Sequence, residues 1–150
     1  MDFSALRRGE YIAMVGGFLL LVGLFLPCYG TSGLGTIDGA KGTFSYFDVH
    51  DISRWLLLAA AAAPFILAYI VAAHKKLSWP RGEMTMVVAV AAFGFLLYNC
   101  VINKPGSVPG LVSLQWGFYV MVLATLLMLF GSLWRSSAEG ERPRKPPGTI

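Results

Sequence analysis

Asp48, His50 and Asp51 stand within four residues of one another, with Asp38 a little upstream. Carboxylates and imidazole ligate divalent metals, so this is the densest candidate metal set in the chain. The commoner use of such residues is helix capping and solvated polarity. A tight site would also need groups that orient the ligands. No cofactor is therefore expected here. Cys28 and Cys100 form the second candidate. Both fall near the same end of apolar segments, so a disulfide between two spans is geometrically open, beside the alternative of two buried free thiols. There is no Cys-x-x-Cys pair to exchange electrons, which argues against a catalytic thiol. Asn99, Asn103 and Gln115 are amides near span ends. They can line a polar cavity or bond a neighbouring helix, and the helix contact is favoured.

Equally informative is a chemistry the chain lacks. No Asp, Glu, Lys, Arg or His falls in the interior of any apolar span. Coupled transporters and pumps carry such residues within the membrane because their ions and protons need them. Their absence argues against proton-coupled or ion-coupled transport. His50 and His74 belong to opposite membrane faces in the topology below, so they cannot share a haem within one protomer.

These residues must be positioned by membrane helices. The chain has 150 residues, 56% hydrophobic and 13% charged, about half the charge fraction of soluble domains. Tyr11 to Tyr29 carries no charge and would extend about 28 Å as a helix, close to one hydrocarbon thickness. It is longer than a signal-peptide core, and it ends Phe25-Leu26-Pro27-Cys28 rather than in small residues. It reads as a retained span. Three more spans are expected at about 54–73, 84–102 and 114–133, giving an all-α four-helix transmembrane bundle as residues 1–134, with a disordered cytoplasmic tail at 135–150. The longest connection, Thr31 to Ser53, is rich in glycine at first, which argues against a regular element there. Further along it, Ser45 with Asp48 three residues on reads as a helix start. Ser113 is placed to cap the fourth span.

Four spans put both termini on one side. Arg7, Arg8, Lys75, Lys76, Arg81, Arg135, Arg142, Arg144 and Lys145 lie on the terminal side, against Lys41, Arg54 and Lys104 on the other. The positive-inside rule then makes both termini cytoplasmic. Trp55, Trp79, Trp116 and Trp134 all fall at span ends, where an amphipathic ring prefers to sit. The net charge of +4 comes from short basic runs beside apolar segments, so no nucleic-acid partner is expected. Small residues recur at heptad spacing: Gly9, Gly16, Gly23 and Gly30 in the first span, Gly117, Ala124 and Gly131 in the fourth. Such stripes leave grooves that admit a second backbone, so these two antiparallel spans are expected to pair closely.

The order Arg8-Gly9-Glu10, Gly16-Gly17, Leu24-Phe25-Leu26-Pro27, an aromatic loop, then Lys104-Pro105-Gly106 before a glycine-bearing last span resembles small four-span membrane proteins of actinobacteria. The resemblance covers most of the chain and implies the four-span fold, but it brings no active residues. Those proteins more often carry tryptophan where Cys28 stands. Size and span count also suit the membrane-associated eicosanoid and glutathione enzymes, whose second span needs charged residues that Trp55 to Ala73 lacks. Small multidrug transporters need a glutamate inside the first span, and Glu10 comes too early. The claudin loop pattern is missing. The expectation is a non-enzymatic structural or accessory subunit in the lipid bilayer that packs against other membrane proteins or itself as a homo-oligomer. The alternative is a small oligomeric channel or transporter with its pore between protomers. An enzyme acting on lipid or thiol is the third choice.

Overall fold

The computed structural model describes residues 6–73, 81–106 and 110–140. The basic connection at 74–80, Trp79, Pro109 and residues 141–150 lie outside them. Four helices are long and apolar enough to cross a membrane. They are α1 (Arg8–Phe25), α3 (Ser53–Ala72), α4 (Arg81–Leu97, continued by a π-helical turn, Tyr98–Ile102) and α5 (Trp116–Gly140). A short helix, α2 (Tyr46–Val49), precedes α3.

The bundle is not all-α. Its α1-end carries a three-stranded antiparallel sheet of β1 (Pro27–Thr31), β2 (Thr43–Ser45) and β3 (Val112–Leu114), in the order β2-β1-β3. The first span therefore ends at Phe25, not Tyr29. The cause is local: Leu26 precedes proline, and the pyrrolidine ring pushes the preceding residue out of the helical region. Leu26 takes φ −78° and ψ 154°, and the chain continues extended. Tyr29 pairs with Phe44 on one side and Leu114 on the other, with a bulge between Pro27 and Tyr29. The Gln115 amide bonds the Cys28 carbonyl at 2.8 Å, leading the ladder into α5. Ser113 does not cap α5; it belongs to β3, and its hydroxyl donates to the Gly30 carbonyl at 3.2 Å. The sheet was hidden in the sequence because its strands are three to five residues long, too short for alternation to register. At its other end α5 runs on to Gly140, so residues 135–140 are helical rather than the start of an irregular tail.

Glycines set the packing of α1. A Cβ added at Gly16 would lie 2.7 Å from the Ala124 carbonyl oxygen and 2.8 Å from the Met128 nitrogen. One at Gly131 would meet the Gly9 carbonyl oxygen at 2.5 Å, and one at Gly117 the Pro27 carbonyl oxygen at 2.5 Å. At Gly23 the obstacle is the Met121 side chain at 2.6 Å. Backbones this close are possible only without side chains between them. Gly17 does the same toward α3, where its Cβ would strike Pro64 and the Ala61 carbonyl, each at 2.6 Å. The α1–α5 pair is thus the closest seam of the bundle. In contrast, α3 and α4 pack mainly on α1 and α5 and meet each other loosely.

Candidate functional site

A buried polar cluster sits where the sheet meets the helices. β1 turns Cys28 and Tyr29 inward next to each other, which the bulge between Pro27 and Tyr29 allows. The π-helical turn adds a residue to the end of α4 and leaves Cys100 fully buried while Tyr98 and Val101 face outward. Such turns recur at functional sites because they re-aim a side chain within a helix. The Cys28 and Cys100 sulfurs lie 3.9 Å apart as free thiols. The Tyr29 hydroxyl is 3.1 Å from the Cys100 sulfur and 2.7 Å from His50 Nε2.

A second branch completes the cluster. α2 begins with a capping box in which Ser45 Oγ accepts from the Asp48 amide and Asp48 Oδ2 accepts from the Ser45 amide. This fixes the entry of Tyr46, whose ring is fully buried with its centroid 4.4 Å from that of His50. Asn99 Nδ2 donates to the Tyr46 hydroxyl at 2.9 Å, and that hydroxyl donates to Ser53 Oγ at 3.0 Å. Every polar tip at the centre of the cluster therefore has a partner. An orphaned buried hydroxyl or amide here would cost about 1–3 kcal/mol.

Burial shapes the titrations. It pushes the Tyr46 phenol up and, with the adjacent Cys100, does the same to Tyr29. The hydrogen bond to Cys100, and then burial, pushes the Cys28 thiol up. Burial moves His50 down from its ordinary value, so its imidazole is neutral at pH 7 and can accept or donate a proton at Nε2. Sulfur, phenol and imidazole form a continuous hydrogen-bonded line, Cys100–Tyr29–His50, that runs from a fully buried thiol to a half-buried ring. Such a line can move a proton between its ends.

The structure does not bring Asp48, His50 and Asp51 together as ligands. Asp48 caps α2, Asp51 pairs with Arg54 at 3.5 Å, and His50 turns in to Tyr29 and Tyr46. Among the described residues no three His, Cys, Asp or Glu side chains form a metal-binding group. The three amides also part company: Asn99 enters the Tyr46 cluster, Gln115 bonds Ser113 beside the sheet, and Asn103 is exposed. Tyr29, Tyr46 and Ser53 are members that sequence reasoning passed over. The available signals were a tyrosine directly after Cys28 and the seven-residue spacing of Tyr46 and Ser53, both too weak to stand alone.

Away from this cluster, the α3–α4 seam holds two apolar cavities of about 160 and 230 Å³, one nearer each end, with Val88 lining both. The smaller is lined mainly by Ile66, Leu67, Ile70, Met84 and Val88, and in the larger half of the lining is alanine: Ala59, Ala60, Ala91 and Ala92. No family model, curated protein or solved structure matches this chain.

Proposed function

We propose that this protein is a non-enzymatic accessory subunit of the cell membrane that docks a partner's transmembrane helix along the α3–α4 seam. The observation that carries the reading is Gly94. A Cβ there would meet nothing within 4 Å, whereas Cβ atoms at Gly16, Gly17, Gly23, Gly117 and Gly131 would collide with neighbouring helices. Glycine in a helix interior costs about 1 kcal/mol relative to alanine, and at Gly94 the bundle itself recovers none of it. An approaching backbone would. Two further features support this. Ala91, one helical turn before Gly94, lines the larger α3–α4 cavity together with Ala59, Ala60 and Ala92, and small residues let a foreign helix come close. The span containing α4 is also the least covered, 28% buried against 44% in each of the others.

The same reading takes both termini as cytoplasmic, on the distribution of lysine and arginine, and sets the sheet on the opposite face. The test is purification in mild detergent with mass spectrometry of what accompanies the protein. Wild type should retain a fixed membrane partner, and Ala91→Leu with Gly94→Leu should release it without loss of folded protein. A wild-type protein that migrates alone, or a double variant that keeps the partner, would overturn the proposal. Recovery of a second copy only would redirect it to self-association.

A further inference from the structure

The proposed docking face makes no use of the sulfur pair at the sheet end, which is a separate device. We infer that Cys28 and Cys100 form a peroxide-sensitive dithiol, with Cys100 as the attacking sulfur, Cys28 as the resolving one, and Tyr29–His50 as the route for the proton.

Geometry assigns the roles. The Cys100 sulfur has two neighbours able to donate to it, the Cys28 thiol at 3.9 Å and the Tyr29 hydroxyl at 3.1 Å. Both contacts favour negative charge on Cys100. Tyr29 in turn touches His50 Nε2 at 2.7 Å. In the resting state the Cys100 thiol donates to the Tyr29 oxygen, and the Tyr29 hydroxyl donates to Nε2. Transfer reverses the line: Tyr29 donates to the thiolate, and protonated His50 donates to Tyr29. The remaining groups around His50 are accounted for. Tyr46 stacks on the ring, Asp48 caps α2, and Asp51 pairs with Arg54.

Size selects the oxidant. Both sulfurs are fully buried, which excludes a protein disulfide as the first reactant and favours a small uncharged hydroperoxide. The Cys100 thiolate attacks one peroxide oxygen, the O–O bond breaks, and the leaving hydroxide takes the proton back from His50 through Tyr29 as water. Cys100 is then a sulfenic acid. Cys28 attacks that sulfur, the S–O bond breaks, and hydroxide leaves with the Cys28 proton as a second water. One disulfide forms, and one hydrogen peroxide is reduced to two waters. The product would tie the exposed α4 to β1.

The test is hydrogen peroxide added to the purified full chain in lipid nanodiscs, read by intact mass and by thiol counting after denaturation. Wild type should lose two hydrogens and both thiols. Cys28→Ala should stop with oxygen added at Cys100, and Cys100→Ala should not react at the same dose. His50→Gln should slow the reaction about a hundredfold and abolish its rise with pH, while Tm stays near wild type. Thiols that persist in wild type would overturn the proposal, as would oxygen stopping on Cys28 in place of Cys100. An unchanged rate and pH profile in His50→Gln would remove the proton route.

Discussion

Gly131→Ala should destabilise the bundle, and Gly94→Ala should not. At Gly131 the new methyl would lie 2.5 Å from the Gly9 carbonyl oxygen and 2.7 Å from the Ala13 nitrogen. Ordinary van der Waals contact begins at 3.4 Å, so the deficit toward Gly9 is about 0.9 Å (3.4 less 2.5). Both obstacles are backbone, so no side-chain rotation relieves the clash and the helices must part. A gap of about 0.5–1 Å forfeits a quarter to a half of each dispersion contact along the opened seam. Overpacking of this kind costs about 1–3 kcal/mol, against a gain of up to about 1 kcal/mol from replacing glycine in a helix. At Gly94 only the gain applies, because nothing lies within 4 Å. The assay is equilibrium unfolding in mixed micelles by titration with a denaturing detergent, followed by circular dichroism. Gly131→Ala and Gly16→Ala should unfold at lower detergent fractions than wild type, with Gly94→Ala at or above it. Equal stability of Gly131→Ala and Gly94→Ala would refute the reasoning that backbone contact holds α1 to α5.

Tyr29→Phe removes the partner of both His50 Nε2 and the Cys100 sulfur and should lower stability by about 1–3 kcal/mol, measured by the same titration. Because burial holds His50 below its ordinary value, the unfolded chain binds that proton first as pH falls. The stability from neutral His50 is complete above about pH 6.5 and is lost as pH drops from there through the folded value. Unfolding midpoints recorded from pH 8 to pH 5 (roughly the range over which histidine titrates) should show this loss, and His50→Gln should flatten it. Ser45→Ala opens the capping box of α2 and should cost about 1 kcal/mol, seen as faster amide exchange at Tyr46 to Val49. A flat exchange rate there would mean that the cap does not hold this turn.

Much of the helical frame is legible in the residue pattern, for a plain reason. A membrane span must be long, apolar and internally hydrogen-bonded, so α1, α3, α4 and α5 are visible wherever charge is missing for about twenty residues. The stripe of Gly16, Gly23, Gly117, Ala124 and Gly131 is equally visible, since small residues are the direct means of close approach. The sheet was not legible. β1 continues the apolar run of α1, and hydropathy cannot separate an extended Cys28-Tyr29-Gly30 from another turn of helix. Only Leu26-Pro27 marked the change, and proline is tolerated in membrane helices often enough to hide it.

The cluster shows the same division. Its members come from β1, α2, the head of α3 and the end of α4, and up to 72 positions separate those in contact. No local rule links a cysteine after a proline to a second cysteine at the far end of α4. The Asp48, His50 and Asp51 grouping was adjacent in sequence, yet the capping turn of α2 sends those side chains to different partners. Composition and charge pattern by themselves determine that the chain has four helices long and apolar enough to cross a membrane, because partition into lipid depends on each segment alone. Which thiol meets which tyrosine, and which glycine is left facing outward, only the tertiary structure decided. Those contacts depend on how far α4 turns before its π-helical end and how closely α1 seats on α5, and both are set by packing between segments.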